Sequence, residues 1–199
     1  MVADTPHPQG TPPASQLLTI GYGNDRASED FIALLRRYEI EYLVDVRSKP
    51  FSKYRPEFSK DALAAILTRA GFKYVFMGDS LGGLPSDPTC FVDGKVSYTA
   101  CREKEWFRAG LARLAKGVHD GRRIAIMCAE LEPERCHRSK LVGEALKDMG
   151  VPIAHIDDDG EVVTQERVMA RLDGGQAQLF GSDLTSRKKY QPSPPEGDG

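Results

Sequence analysis

Residues Ile124–Leu141 read IAIMCAELEPERCHRSKL. The run from Ile124 to Cys128 is uncharged and of strand length. An acidic loop containing Pro133 follows, and Cys136, His137 and Arg138 then open CHRSKLVGEALKDMG, which reads as a helix ending at Gly150. Strand, loop and helix in that order form the building unit of a parallel sheet.

The same alternation runs through the rest of the chain. LLTIGYG is a buried strand closing in a glycine turn. Ser28 is placed to cap the next helix, with Glu29 and Asp30 in its first turn and Phe31, Ile32, Leu34, Leu35 and Tyr38 on its apolar face. EYLVDVRS is a second strand, with Val44 and Val46 on one face and Leu43 and Asp45 on the other. After the loop KPFSKYRPEF, SKDALAAILTRAG reads as a helix capped by Ser59 and stopped near Gly71. FKYVFMG is a third strand, and the long loop DSLGGLPSDPTCFVDGKVS after it is of a length more often functional than accidental. YTACREKEWFRAGLARLAKGV reads as one helix, with Trp106, Leu111 and Leu114 inward. RRIAIMC is the fourth strand, VPIAHI the fifth and TQERVMARL a last short helix. The pattern predicts one α/β domain over residues 16–173, a mostly parallel sheet of about five strands with helices on both faces, Rossmann-like and three-layered. Residues 1–15 read as a disordered leader and 174–199 as a polar, largely disordered tail.

The chain has 199 residues, enough for one domain with a real core. Lys+Arg total 27 against 29 Asp+Glu, a net charge of -2, so nothing draws the whole molecule to nucleic acid or an anionic membrane. Nucleic-acid contact would need a local basic patch. No stretch has the length and apolarity of a membrane span. The start lacks the basic and apolar regions of a signal peptide. The cysteines, Cys90, Cys101, Cys128 and Cys136, are too sparse for a disulfide scaffold. These features point to a reducing, cytoplasmic setting.

In open parallel sheets the ligand site forms at the carboxyl ends of the strands. Those ends carry Gly21, Tyr22, Gly23 and Asn24; Asp45, Arg47 and Ser48; Asp79, Gly82 and Gly83; Cys128, Glu130, Cys136, His137 and Arg138; and His155 and Asp157. GYGNDR has two glycines of a dinucleotide fingerprint, but Arg26 stands where the third belongs. No cofactor is strongly implied. Gly21 and Gly23 read instead as a tight strand-to-helix turn, with Tyr22 and Asn24 free to touch a ligand. Asp45 and Arg47 share a strand face, which predicts that Arg47 leans into the site, held by Asp45 or Glu130.

The thiols admit several chemistries. A structural zinc takes four ligands in tight pairs, and the spacing of Cys128 and Cys136 is wide, so no metal is expected. A disulfide between them depends on geometry the sequence does not give. A thiol at a helix start beside His137 and Arg138 would have a lowered pKa. The same amides and Arg138 would bind an anion. The C-x5-R signature of cysteine phosphatases is absent, since Glu134 occupies its arginine position. The plainer alternative is that Cys128 packs as a small apolar residue. Cys128, Glu130 and His137 are the catalytic candidates. Gly21, Tyr22, Gly23, Asn24, Asp45, Arg47, Gly82, Gly83, Cys136 and Arg138 are the ligand-binding ones. One pocket is expected, with Glu130 paired to Arg138 or Arg47.

TIGYGN, LVDVRSKPFSKYRPEF, LGG and MCAELEPERCHRSKL, in that order, resemble domain-of-unknown-function family 488 from about Leu17 to Ile156. The resemblance implies an α/β domain of a bacterial or archaeal cytoplasmic protein. It maps the family's characteristic positions onto Gly21, Tyr22, Gly23, Asp45, Arg47, Pro50, Gly82, Gly83, Cys128, Glu130, Cys136, His137 and Arg138. It implies no reaction. LVDVRS also looks like a strand end of the rhodaneses, although the histidine segment expected after it is missing. Three functions stay open: an enzyme acting on a small anionic or nucleotide-like molecule, a module that senses such a ligand or docks on nucleic acid, and rhodanese-like thiol or sulfur transfer.

Overall fold

A computed structural model describes residues 15–23, 26–172 and 184–190. The expected leader before Ser15 lies outside the described residues, as does Asn24. The parallel strands are β1 (Leu17–Gly21), β2 (Tyr42–Asp45), β3 (Lys73–Phe76), β6 (Ile124–Cys128) and β7 (Ile153–Ile156). They fall in one sheet ordered β3-β2-β6-β1-β7-β8, where β8 (Val162–Thr164) pairs antiparallel with β7. Five parallel strands match the expectation. β8 is an addition, for its short apolar segment follows a tight turn at Gly160 (φ 83°).

Two apolar layers sandwich the sheet. Alternate strand residues Leu18, Ile20, Leu43, Ala125 and Met127 pack with Phe31 and Leu35 of α1 (Ser28–Arg37) and with Leu63 and Leu67 of α2 (Lys60–Arg69). The opposite set, Leu17, Val44, Val46, Ile124 and Ile126, packs under Phe107, Leu111 and Leu114 of α5 (Glu105–His119) and Leu146 of α6 (Glu144–Asp148). This is the three-layer arrangement, and its period of two is the pleat of the strands. Chains leaving β1 and β2 cross one face and the chain leaving β6 crosses the other. The crevice at the carboxyl end of β6 is therefore the switch point where ligands bind in such sheets.

Several local expectations change. The long predicted helix breaks after α4 (Tyr98–Arg102), and α5 starts at Glu105. Trp106 packs against the core half-buried, and Phe107, which the sequence reading did not single out, is fully buried there. Ser28 does not cap α1; Ala27 holds that position, and the Ser28 hydroxyl donates to Glu29 at 3.1 Å. Ser59 stands at the start of α2, but its hydroxyl accepts from Ser52 N–H at 3.1 Å instead of capping. The segment after His137 opens as a π-helical stretch, Arg138–Gly143, before α6. Such widened turns concentrate at functional sites. The long loop carries α3 (Gly78–Leu81) and a hairpin, β4 (Phe91–Val92) with β5 (Lys95–Val96). Of the predicted tail, 174–183 and 191–199 lie outside the described residues, and 184–190 run beside the hairpin. Thr185 bridges Ser97, Ser186 N–H donates to Val96 O at 3.0 Å, and Tyr98 N–H donates to Leu184 O at 3.0 Å. The last helix is α7 (Gln165–Leu172).

Candidate functional site

β6 delivers Cys128 to the switch point, and the loop returns so that Cys136 and His137 stand directly before the π-helical turn. Cys128 Sγ, Cys136 Sγ and His137 Nδ1 lie within 4.8 Å of one another. His137 Nδ1 is 3.8 Å from the first sulfur and 3.7 Å from the second. Its Nε2 meets Val46 O at 3.1 Å. A carbonyl only accepts, so Nε2 carries a proton, and Nδ1 is the ring nitrogen that faces both sulfurs. Gly83 makes room for that ring: a Cβ there would stand 2.6 Å from it.

The sulfurs are not equivalent. Arg138 N–H donates to Cys136 Sγ at 3.5 Å. Burial opposes a Cys136 thiolate, but the Cys128 thiol hydrogen bond, Arg138 and His137 outweigh it and set its pKa well below the usual thiol value. Donation to Cys136, and then burial, pushes the Cys128 thiol up. Cys136 is thus the more acidic of the two thiols, whereas the sequence favoured Cys128. The wide spacing that argued against a metal closes up in space, and the two sulfurs and Nδ1 form a three-donor set that a soft divalent cation such as zinc could take.

Arg138 does not reach out to an anion. It is fully buried; Nε donates to Thr19 Oγ1 at 3.1 Å, Nη2 to Leu131 O at 2.8 Å, and Nη1 to Glu130 O. Its task is to tie the β6 loop to β1 and to lend positive charge to Cys136. Beyond it runs a one-way chain. Thr19 lies 2.7 Å from His155 Nδ1, His155 Nε2 meets Gln165 Oε1, and Gln165 Nε2 donates to Ser139 O at 3.1 Å and Glu144 Oε1 at 2.7 Å. Since Thr19 already accepts from Arg138, it donates to His155. Burial first, then Arg138's charge, lowers the His155 pKa to about 3.

Asp45 and Arg47 form the other wall. Arg47 Nε and Nη2 donate to the Asp45 carboxylate at 2.9 and 2.6 Å, Tyr74 adds a bond at 2.7 Å, and Asp45 is wholly buried. Burial alone would lower the Arg47 pKa, but Asp45 reverses the shift and keeps the guanidinium charged. Arg47 Nη1 then donates to Tyr22 OH at 3.1 Å, and the Tyr22 ring stacks on Phe58 with centroids 4.1 Å apart. Asp45 is thus the partner the sequence suggested for Arg47. Glu130 takes neither of its expected partners; its carboxylate, partly exposed, pairs with Arg187 at 3.1 Å.

These walls enclose a cleft of about 320 Å³ lined by Tyr22, Arg47, Gly83, Cys128, Glu130, Cys136 and His137. Of the sequence candidates, Gly21, Gly23, Asp45, Gly82 and Arg138 stand behind the lining. At Gly21 a Cβ would fall 2.0 Å from Glu130 O, so the glycine there admits the neighbouring loop. Asp79 accepts from Ser80 N–H at 2.8 Å within α3, and Asp157 pairs with Arg171 at 2.7 Å. Sequence reasoning missed Lys49, Arg135, Arg187 and Lys188, which also line the cleft. Lys49 and Lys188 have no carboxylate partner among the described residues. The charged SRKKY stretch was the available signal. A wider groove between Arg26 and Asp158 contains none of these thiols. Among the described residues no helix is long and apolar enough to cross a membrane.

No curated protein and no solved structure matches the chain. A family model described as a domain of unknown function, DUF488, matches residues 27–145, and the chain belongs to that family.

Proposed function

We propose that the protein is a thiol-dependent enzyme acting on a small anionic molecule held in the strand-end cleft. The observation that carries this reading is the placement of Cys136, whose sulfur accepts from Arg138 N–H at 3.5 Å, in one cleft with a cationic rim. Cys136 sits on the cleft floor, while Lys49, Arg135, Arg187 and Lys188 line the rim against Glu130. Cations around a concave site raise the local concentration of an anion, and a thiolate at neutral pH is the form that attacks. Arg47 presents its remaining donors beside Tyr22 and is rigid because Asp45 holds it. His137 Nδ1 is the proton acceptor within reach.

A second reading draws on Phe51, which lines the same cleft and is 73% exposed. A flat ring stacked there, with phosphate among the lysines, would make the ligand nucleotide-like or place the cleft on single-stranded nucleic acid.

Competing alkylation tests the first reading. Iodoacetate should modify Cys136 faster than neutral iodoacetamide despite its lower intrinsic reactivity, and Lys49→Gln with Lys188→Gln should remove the preference. Equal slow modification of Cys136 by both reagents, at the rate of an ordinary thiol, would refute it. Protection by a nucleoside monophosphate but not by inorganic phosphate would favour the second.

A further inference from the structure

Resting on that reading, we infer that Cys128 and Cys136 act as a dithiol/disulfide couple. In this scheme Cys136 attacks the S–S bond of a small anionic disulfide, and Cys128 resolves the mixed disulfide.

Three placements carry this. First, the two sulfurs and His137 Nδ1 all lie within 4.8 Å of one another, so bond formation needs a closure of less than about 3 Å to reach S–S length. Second, the sulfurs have distinct environments. Cys136 receives the Arg138 N–H and faces the Arg138 charge, which suits the attacking sulfur. Cys128 lies 3.8 Å from His137 Nδ1, the ring nitrogen placed to take its proton once Cys136 is bonded, which suits the resolving one. Third, both sulfurs open on one cleft of about 320 Å³. That volume admits a small molecule.

The steps balance. A Cys136 sulfur electron pair forms a bond to one substrate sulfur, and the other substrate half leaves as a thiolate. His137 Nδ1 takes the Cys128 proton, the Cys128 sulfur bonds to Cys136 Sγ, and the first half leaves as a second thiolate, protonated from His137 or solvent. Two protein thiols are oxidised and one disulfide is reduced to two thiols. An external dithiol reductant must then return the protein to its starting state.

The probes are dithiodiglycolate, which is anionic, and hydroxyethyl disulfide, which is neutral. Intact-mass and peptide mapping should show wild-type protein two hydrogens lighter, carrying a Cys128–Cys136 disulfide and no adduct. Cys128→Ser should instead retain mercaptoacetate on Cys136. The anionic probe should react about tenfold faster than the neutral one. If Cys128→Ser does not fold, the wild-type product alone decides. A lasting adduct on wild-type Cys136 overturns the inference while leaving the thiolate reading in place. A Cys136 unreactive toward both iodoacetate and dithiodiglycolate sinks both. Reaction only after chelation would assign the cluster to a bound metal and overturn the couple.

Discussion

His155 should make the fold acid-sensitive in a specific window. The side chain is wholly buried in a chain whose donors all point one way, from Arg138 through Thr19 to His155 and on to Gln165. A proton on Nδ1 would confront the Thr19 hydroxyl and the Arg138 charge. The folded pKa is accordingly about 3, against 6.5 in the unfolded chain. The depressed value means that the unfolded state binds the extra proton first. This stability is therefore complete above about pH 6.5 and is lost as pH falls toward about 3. By pH 5 the loss from this residue alone is about 2 kcal/mol relative to pH 8. Carboxylates add their own slopes, so the measurement is a difference. Urea unfolding of wild type and His155→Asn, at pH 8, 6.5 and 5, should show the variant less stable at pH 8 but losing about 2 kcal/mol less on acidification. The wild-type imidazole resonance gives a second readout in case the variant fails to fold. Titration of His155 near 6.5 in the native protein, or identical acid slopes in the two proteins, would refute the direction assigned to the chain.

Removing the partner of a buried charge predicts a second effect: Asp45→Asn should cost about 3–5 kcal/mol in urea unfolding, with part of it recovered in Asp45→Asn/Arg47→Met. A cost below about 1 kcal/mol would mean that Arg47 finds solvent or another partner. Gly83→Ala places a methyl against the His137 ring and should slow Cys136 alkylation, while unfolding shifts far less than for Asp45→Asn. Unchanged alkylation would show that ring position does not govern the thiol. Burial raises the pKa of Cys90 and of Cys101, so a native thiol count should find Cys128 and Cys136 alone, and denaturation should release the other two. A chain ended at residue 183 loses Arg187 and Lys188 from the cleft, and its preference for iodoacetate over iodoacetamide should fall severalfold.

What the sequence made legible was local, and what it hid was the product of contacts between distant segments. Strand positions follow from apolar runs, and the switch point follows from the order of strands and helices, so the meeting of Cys128 with Cys136 was within reach. The pairing of Asp45 with Arg47 was within reach too, because residues two apart on a strand share a face. Arg138 was not, since a long cation beside two thiols reads as an anion grip until its donors are traced to the carbonyls of Glu130 and Leu131. Those carbonyls need partners because the β6 loop is buried against β1, a fact of packing that no motif records. The cationic rim was hidden for the same reason. Composition marks SRKKY as solvated, yet Ser186 N–H and Oγ satisfy the carbonyl and amide of Val96 on the edge of β5 that faces away from β4. Once that edge is paired, Arg187 is fixed opposite Glu130 and Lys188 reaches the cleft. The meeting of the two thiols is thus encoded within one strand–loop–helix unit, whereas the cations that line the cleft come from separate segments: Lys49 after β2, Arg135 after β6, and Arg187 with Lys188 near residue 190. Damage to the hairpin or the tail should therefore alter which molecules reach Cys136 before it alters the reactivity of Cys136 itself.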